Sequence, residues 1–419
     1  RSVPPSTPTI GSLVLDGGTL RATLGATGAT NTVDLGSNRG ISIGTGGGTI
    51  ITDSGVVLTS SAAVTATGNL TKNGAGTLLL SGDYSFSPVS GSPSFSTTTI
   101  NAGSLVLRND APSIGGSING FFRFTGAGGL TVEPLSASFM VSGSNTSGPL
   151  RLSDLAPAID GLGSFTLGKA SNTRNILVDA KVTAASQAYY GGDVTVSIPA
   201  STVNSVVTPS TLDITAGNKL TLYAQGSLSI NNAINVSGAN SGVALAYNMA
   251  GGSATGDYSF GLTAGGFAGR ISYDNSNGVT GQTLTIQNGA NGGAAKSYTL
   301  LYSLADFDTK IATDTSNAYV ALANSVSDDG VVRANLRNGV FHGTFAGLGN
   351  SLSGLQLNGG SQTGMFQYTG GGAILRDLAV VNASVNGAYM TGTLVGQAFD
   401  GLTLKNLQVA TTVTASGNA

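Results

Sequence analysis

Several groups of side chains in this sequence have types and spacings that could do chemistry. Gly40-Ile41-Ser42-Ile43-Gly44 fits the G-x-S-x-G elbow, where Ser attacks an acyl carbon with a distant His and Asp behind it. Gly163 to Lys169 (GSFTLGK) nearly spells a phosphate-binding loop. His342 is the only imidazole, so multi-His metal sites are excluded and any triad would depend on it. Asp306, Asp308, Asp314 and Asp328-Asp329 gather loosely, with Arg333 and Arg337 beside the last pair. Clustered carboxylates with a basic partner or Ca²⁺ are what glycan cleavage uses. Tyr189-Tyr190 beside Gly191-Gly192, with Phe121, Phe122 and Phe124, offer rings for a flat sugar-binding face.

Each of these needs an element to position it, and the surrounding text supplies a different one. An elbow needs a helix after the Ser, yet Thr45-Gly46-Gly47-Gly48 and then Ile50-Ile51 follow. Residues 40–44 therefore read as a strand with both Ile inward and Ser42 outward. Ala170 stands where a phosphate loop needs its Mg²⁺-binding Ser or Thr, and Phe165 and Leu167 alternate as in a strand. His342 lies in Val340-Phe341-His342-Gly343-Thr344-Phe345, a strand or turn context. The acids read as turns that solvate their charges, and neither a Ca²⁺ nonapeptide nor an EF-hand loop is present. The aromatic residues serve equally as fillers of loops and ends. No catalytic, cofactor-binding or metal-binding residue is assigned, and no cofactor is expected.

Composition explains the shortage of chemistry. The 419 residues include 64 Gly, no Cys, no Trp and 1 His, with 9% charged and 40% hydrophobic. Disorder needs more charge and less apolar content. Short Val, Ile and Leu pieces between Gly, Ser, Thr and Asn are the usage of many short strands joined by tight turns. The best helical stretch is Leu304 to Thr313, with Leu304, Phe307 and Ile311 at helical spacing. Net charge is −2, from 18 basic and 20 acidic residues scattered singly, so nucleic acid is a poor partner. No apolar run is long enough to cross a bilayer as a helix. Without Cys there is neither a disulfide scaffold nor a thiolate metal site. The chain opens on Arg1 with no apolar signal segment, which reads as a mature or excised piece of something longer.

Alternation runs through most of the text. Leu13, Leu15, Leu20 and Leu24 recur between Gly turns. Leu212-Asp213-Ile214, Leu220-Thr221-Leu222, Leu228-Ser229-Ile230 and Ile234-Asn235-Val236 follow further on. Near the C-terminus, Asn350–Leu357, Ala373–Val380 and Leu402–Val409 superimpose. Their apolar columns are Leu352/Leu375/Leu404, Leu355/Leu378/Leu407 and Leu357/Val380/Val409. Strands this short bury too little to stand alone, so stacking at roughly 4.8 Å must cover them. The expected fold is all-β: a right-handed parallel β-helix (β-solenoid) with coils of about 22 residues and an irregular stretch in the middle. Four regions are expected. Residues 1–110 and 211–300 form solenoid coils, 111–210 form an irregular or decorated segment, and 301–419 carry the C-terminal repeats.

Leu70 to Leu107 carries the most specific pattern. Leu78-Leu79-Leu80 and Leu105-Val106-Leu107 are each introduced by Asn, Ala and Gly, in Asn73-Gly74-Ala75-Gly76-Thr77 and Asn101-Ala102-Gly103. This resembles the autotransporter-associated β-strand repeat of Gram-negative surface passengers. The text Ile214 to Gly238 resembles filamentous-haemagglutinin-type exoproteins. Gly347-Leu348-Gly349 and Thr393-Leu394-Val395-Gly396 resemble the GLUG motif of bacterial surface proteins. These resemblances imply a secreted or surface β-helical protein, not an enzyme, that acts in attachment, biofilm matrix or fibre formation. Its implied partners are itself, glycans or proteins outside the cell, and an outer-membrane secretion pore during export. The alternative is a carbohydrate-active β-helix enzyme, a polysaccharide lyase or hydrolase.

Overall fold

The computed structural model describes residues 7, 9–24, 31–86, 96–110, 122–139, 148–203, 206–208, 210–252, 255–275, 278–311 and 318–416. It divides into two compact units, Arg1–Thr195 with Leu220–Gly226, and Val196–Lys219 with Ser227–Ala419. Asp314 and Phe121 fall outside the described residues.

The first unit is a three-faced parallel β-solenoid. One face stacks Thr9–Leu15, Arg39–Ile43, Val64–Ala66 and Tyr84–Phe86. The second stacks Gly18–Ala22, Gly48–Thr52, Leu70–Asn73, Ser96–Ile100 and Phe122–Thr125. The third runs from Thr32–Asp34 through Val57–Ser60, Thr77–Leu80, Ser104–Arg108, Gly129–Glu133, Leu162–Leu167 and Ala184–Gly191 to Lys219–Ala224. Every pairing is parallel and joins strands one coil apart. Leu78 lies between Leu58 and Leu105, and Leu130 and Phe165 continue the column. All five are at most 1% exposed, so each contributes roughly 1.5–3 kcal/mol of burial. The ladder passes unbroken from Gly129–Glu133 through Leu162–Leu167 to Ala184–Gly191, while Leu150–Arg151 and Ile176–Val178 pair in a further parallel sheet. Leu24 departs from expectation. It lies beyond the strand Gly18–Ala22 and is exposed.

Gly placement makes the corners. At Gly103, φ is +65°, a region open mainly to Gly, and a Cβ there would sit 2.2 Å from the Gly76 carbonyl oxygen. Coils can stack this closely only where that corner has no side chain.

The second unit begins with the same plan. Thr211–Ile214, Ala233–Val236 and Arg270–Tyr273 stack in parallel, setting Leu212 on Ile234 and Ile214 on Val236, all buried. Three antiparallel pairings depart from the parallel expectation: Ser201–Val203 with Val206–Thr208, Leu262–Thr263 with Gly266–Phe267, and Thr285-Ile286 with Lys296-Ser297. The helix spans Leu304–Lys310, shorter than expected, and the three expected apolar residues are buried.

Its last coils wrap several short flats. Thr299–Leu301, Tyr319–Leu322, Thr344–Ala346 and the start of Ile374–Gly387 stack on one flat, with Thr403–Ala415 next. The strand Ile374–Gly387 bends at Asp377 and Asn382, both at positive φ, as is Asn406 beside Asp377. Short polar side chains tolerate that region better than others.

The C-terminal register differs from the sequence alignment. Leu375 pairs with Leu404, Leu378 with Leu407 and Val380 with Val409, as expected. Leu352, however, pairs with Val380, and Leu357 with Val385. Phe345 is what lies against Leu375. Between the ladder pairs Ala346/Arg376 and Ser351/Ala379, the corner Gly347–Asn350 spends four residues where Asp377-Leu378 spends two, which shifts the register. Leu404 is 53% exposed, because Thr403–Ala415 is paired only on its Ile374–Gly387 side among the described residues.

Candidate functional site: polar clusters and the stacked repeat

Each residue singled out for chemistry occupies a place in the coil. Ser42 points outward from Arg39–Ile43 between buried Ile41 and Ile43, in register with Val14 and Thr65. No helix follows it. Lys169 follows the strand Leu162–Leu167, and its Nζ donates to the Leu135 carbonyl at 3.1 Å. His342 is half-buried between Arg337–Phe341 and Thr344–Ala346, packed so near Gly371 that a Cβ there would lie 2.8 Å from Nδ1. Ser42 and Lys169 belong to the first unit and His342 to the second.

The acidic group resolves into ion pairs. Arg333 donates to both Asp329 oxygens at 2.8 and 2.7 Å and to Asp308 Oδ2 at 3.2 Å. The Arg333 hydrogen bond holds the Asp329 carboxyl down to about 2. Asp306 accepts from the Tyr302 backbone N–H and pairs with Lys310. Asp328 accepts from Gln356 Nε2 at 2.9 Å. Arg337 is not on this surface. It is 1% exposed, and its Nη2 donates to the Val340 carbonyl. Among the described residues, no group of three or more His, Asp or Glu side chains is placed to hold a metal ion.

The aromatic set splits by strand parity. Tyr189 and Phe124 point inward and are buried, and Tyr189 Oη donates to Gln187 Oε1 at 2.7 Å. Tyr190 points outward, its ring centroid 5.1 Å from that of Tyr223 one coil away.

Two clusters escaped the sequence reading. Lys72 points into the core of the first unit, fully buried, in the register column of Ile50 and Ile100. Its Nζ donates to the carbonyls of Asn73, Gly74 and Ala102 at 2.9, 2.8 and 3.1 Å, tying one coil's corner to the next. Burial lowers its pKa to about 8. Inward parity between Leu70 and the Gly corner was the available signal.

In the second unit, Arg376 forms a fork with both Asp257 oxygens at 3.1 Å, donates to Tyr258 O at 2.7 Å, and reaches Asp377 Oδ2 at 2.5 Å through Nε. Its guanidinium carbon lies 3.5 Å over the Tyr258 ring. Lys405, one coil on from Arg376, also contacts Asp257, and Asn406 donates to Asp377 at 2.9 Å. Burial pushes the Asp257 carboxyl up, but the Arg376 and Lys405 bonds outweigh it and leave its pKa below the ordinary value. Burial dominates at Asp377 and raises its pKa. Two cations and two carboxylates bonded this way make a closed, neutral cluster that fixes a corner.

Within residues 70–107 two strands stack on the two that follow them one coil later. Leu78 and Leu80 lie against Leu105 and Leu107, and Leu70-Thr71-Lys72 against Thr98-Thr99-Ile100. The passenger-associated-transport-repeat family model matches residues 70–107. This segment is therefore similar to an autotransporter passenger-type repeat. No curated protein and no solved structure matches the chain. Within the repeat, Lys72 bonded to Ala102 O, Asn101 bonded to Asn73, and Gly103 packed on Gly76 add to the two strand pairings that join one half to the other. Among the described residues no helix is long and apolar enough to cross a membrane, which says nothing about a β-barrel.

Proposed function

We propose that this chain is a non-catalytic segment of a secreted or cell-surface β-solenoid of a Gram-negative bacterium, acting in attachment, matrix or fibre formation. The observation that carries this reading is the stacked passenger-type repeat at residues 70–107 inside a continuous parallel ladder. The side chains that could have done chemistry support it, since Arg333, Lys169 and the acids spend their polar atoms on neighbours within the fold. Extension by strand addition fits the same reading. Among the described residues Thr403–Ala415 is paired on one side only, and its other edge, with Val409 and Val413 46% and 44% exposed, is a template for a further parallel or antiparallel strand from the same polypeptide or another copy.

Protease shaving of intact producing cells, with electron microscopy of the released material, tests this. Expected are loss of the chain from the cell surface and thin rods or filaments in the released fraction. Protection from protease in intact cells, or compact particles only, would overturn the reading.

A further inference from the structure

We propose that the strand Thr403–Ala415 pairs with the same strand of a second copy of this chain, antiparallel across a two-fold axis at Thr411, which goes beyond the surface-solenoid reading and names the partner of its free edge. Leu407, Val409, Thr411 and Val413 extend the inward columns of Leu378, Val380, Ala383 and Val385, all of them 3% exposed or less. In Thr403–Ala415 those columns are open, with Val409 and Val413 nearly half exposed and Leu404 more so. The core is cut across at this strand, and apolar side chains of the kind that the preceding coil buries meet water.

Two neighbouring sheets finish in the same stretch of chain. Among the described residues, Met390–Thr391 pairs only with Gln362–Thr363, and Val395–Ala398 only with Phe366–Thr369. Tyr389, Met390 and Phe399 stand exposed beside those edges, so half of the large exposed apolar side chains described fall within residues 389–413. Such a concentration on a protein surface marks an interaction site. At typical side-chain areas these residues expose roughly 600 Å² per copy, and a symmetric pair that covers them buries on the order of 1,200 Å², enough for a specific interface.

The chemistry of this edge fits its own copy. Thr403–Ala415 holds no Pro, and its one charge, Lys405, is taken by Asp257, so the usual guards against strand addition are missing. Two such edges meet without like-charge repulsion. Head-to-tail stacking finds no equal match. At the outer strands of the first unit, Thr9–Leu15 and Gly18–Ala22, the inward Leu15 and Ala22 are each 5% exposed, and Leu13 and Leu20 are half-buried, so less core lies open there. Identical edges that meet across a two-fold axis run antiparallel. With Thr411 opposite the partner's Thr411, Val409 faces the partner's Val413 and Leu407 the partner's Ala415, which joins the inward columns of the two copies. Both free edges are then spent, and assembly closes at two chains.

The test follows the mass of the full 419-residue chain by analytical ultracentrifugation across a concentration series. A monomer–dimer equilibrium with a Kd in roughly the micromolar range is expected. The Val409→Lys/Val413→Lys pair sets like charges against each other across the axis and should weaken dimerisation about tenfold or more. Hydrogen exchange across Ile374–Gly387 checks that this variant keeps its own ladder. Cross-linking reads the register cleanly, because the chain has no Cys. Ala410→Cys chains mixed with Thr412→Cys chains place the two thiols directly opposite and should form a disulfide at least about threefold faster than either variant alone. A monomer up to about 200 μM, a folded Lys pair that dimerises like the parent, or an open series of oligomers would each overturn the two-fold pairing. Equal cross-linking of mixed and single variants would overturn the axis at Thr411. A monomeric chain would leave the surface-solenoid reading standing, since protease shaving of cells tests that reading separately.

Discussion

Replacing Lys72 by Met is the sharpest perturbation the structure offers, because it changes hydrogen bonding while keeping side-chain length and apolar stem. The ammonium donates three bonds of 2.8–3.1 Å, and all three acceptors are backbone carbonyls at the junction of successive coils. Hydrogen bonds from a charged donor are worth about 1.5–3 kcal/mol each. Asn73, Gly74 and Ala102 are only half-buried, so water can reach their carbonyls once the amine is gone. Each loss then falls to about 1 kcal/mol, or about 3 kcal/mol in total. The junction should therefore open roughly 100-fold more often, read as faster exchange of the Asn101 and Ser104 amides, which donate to Lys72 O and Gly76 O. Equilibrium urea unfolding, followed by tyrosine emission, should shift in the same direction. The pH dependence has a definite sign. Lys72 titrates at about 8 when folded against 10.5 as a free side chain, so the folded chain sheds its proton first. Between those values the unfolded chain holds more protons, and stability rises with pH relative to the Met variant. Unchanged exchange at Asn101 and Ser104, or a Met variant as stable as the parent, would refute the clamp. A stability gap that is flat from pH 8 to 10.5 would refute its titration.

Further outcomes follow from other corners. Gly103→Ala should cost about 1–3 kcal/mol, since its Cβ meets the Gly76 oxygen at 2.2 Å with φ at +65°, measurable by thermal unfolding. Arg376→Met leaves Asp257 with Lys405 alone and buried Asp377 with the Asn406 amide alone, and should cost about 3 kcal/mol, whereas Asp377→Asn, which keeps a residue suited to positive φ, should cost less. Asp329 titrates at about 2, below its ordinary range, so its small contribution is present above about pH 4 and lost as pH falls through 2. Asp329→Asn should flatten that acid limb in an unfolding series. Ser42→Ala, Lys169→Met and His342→Ala should leave any esterase, nucleotide or glycan-cleaving turnover of the chain unchanged, and loss through one of them would mark it as catalytic.

The parts legible in the sequence are those written in local alternation. Leu78–Leu80 against Leu105–Leu107, and Leu212 and Ile214 against Ile234 and Val236, stack as read, because identical short patterns must superimpose to bury their inward side chains. The C-terminal register was misread at Leu352 because corners are conformational. Gly347-Leu348-Gly349 makes a turn with Leu348 at positive φ, and residues spent in a turn do not advance the ladder. The Arg376 cluster was out of reach for another reason. Its carboxylate partner Asp257 lies 119 residues away, and no periodicity encodes a pairing across that distance. Lys72 was readable in principle, yet a Lys in Gly-rich text passes for a surface residue until the parity of Leu70-Thr71-Lys72 is counted.

The ladder bonds of these coils point from one coil to the next, so tension applied across the stack loads them a coil at a time. Aligned partners such as Asp213 and Asn235 are 22 residues apart, and Asp377 and Asn406 are 29 apart. Each coil peeled from a unit would thus release roughly 70–100 Å of slack chain. Strand pairing and apolar stacking hold the coils, and cross-coil side-chain ties such as Arg21–Asp53, Arg108–Glu133 and Asn235–Asp213, with the Lys72 and Arg376 clusters, add to them. A pulled unit would therefore pay out chain in steps of unequal length, each resisted by the ladder and the side-chain ties of the coil being peeled.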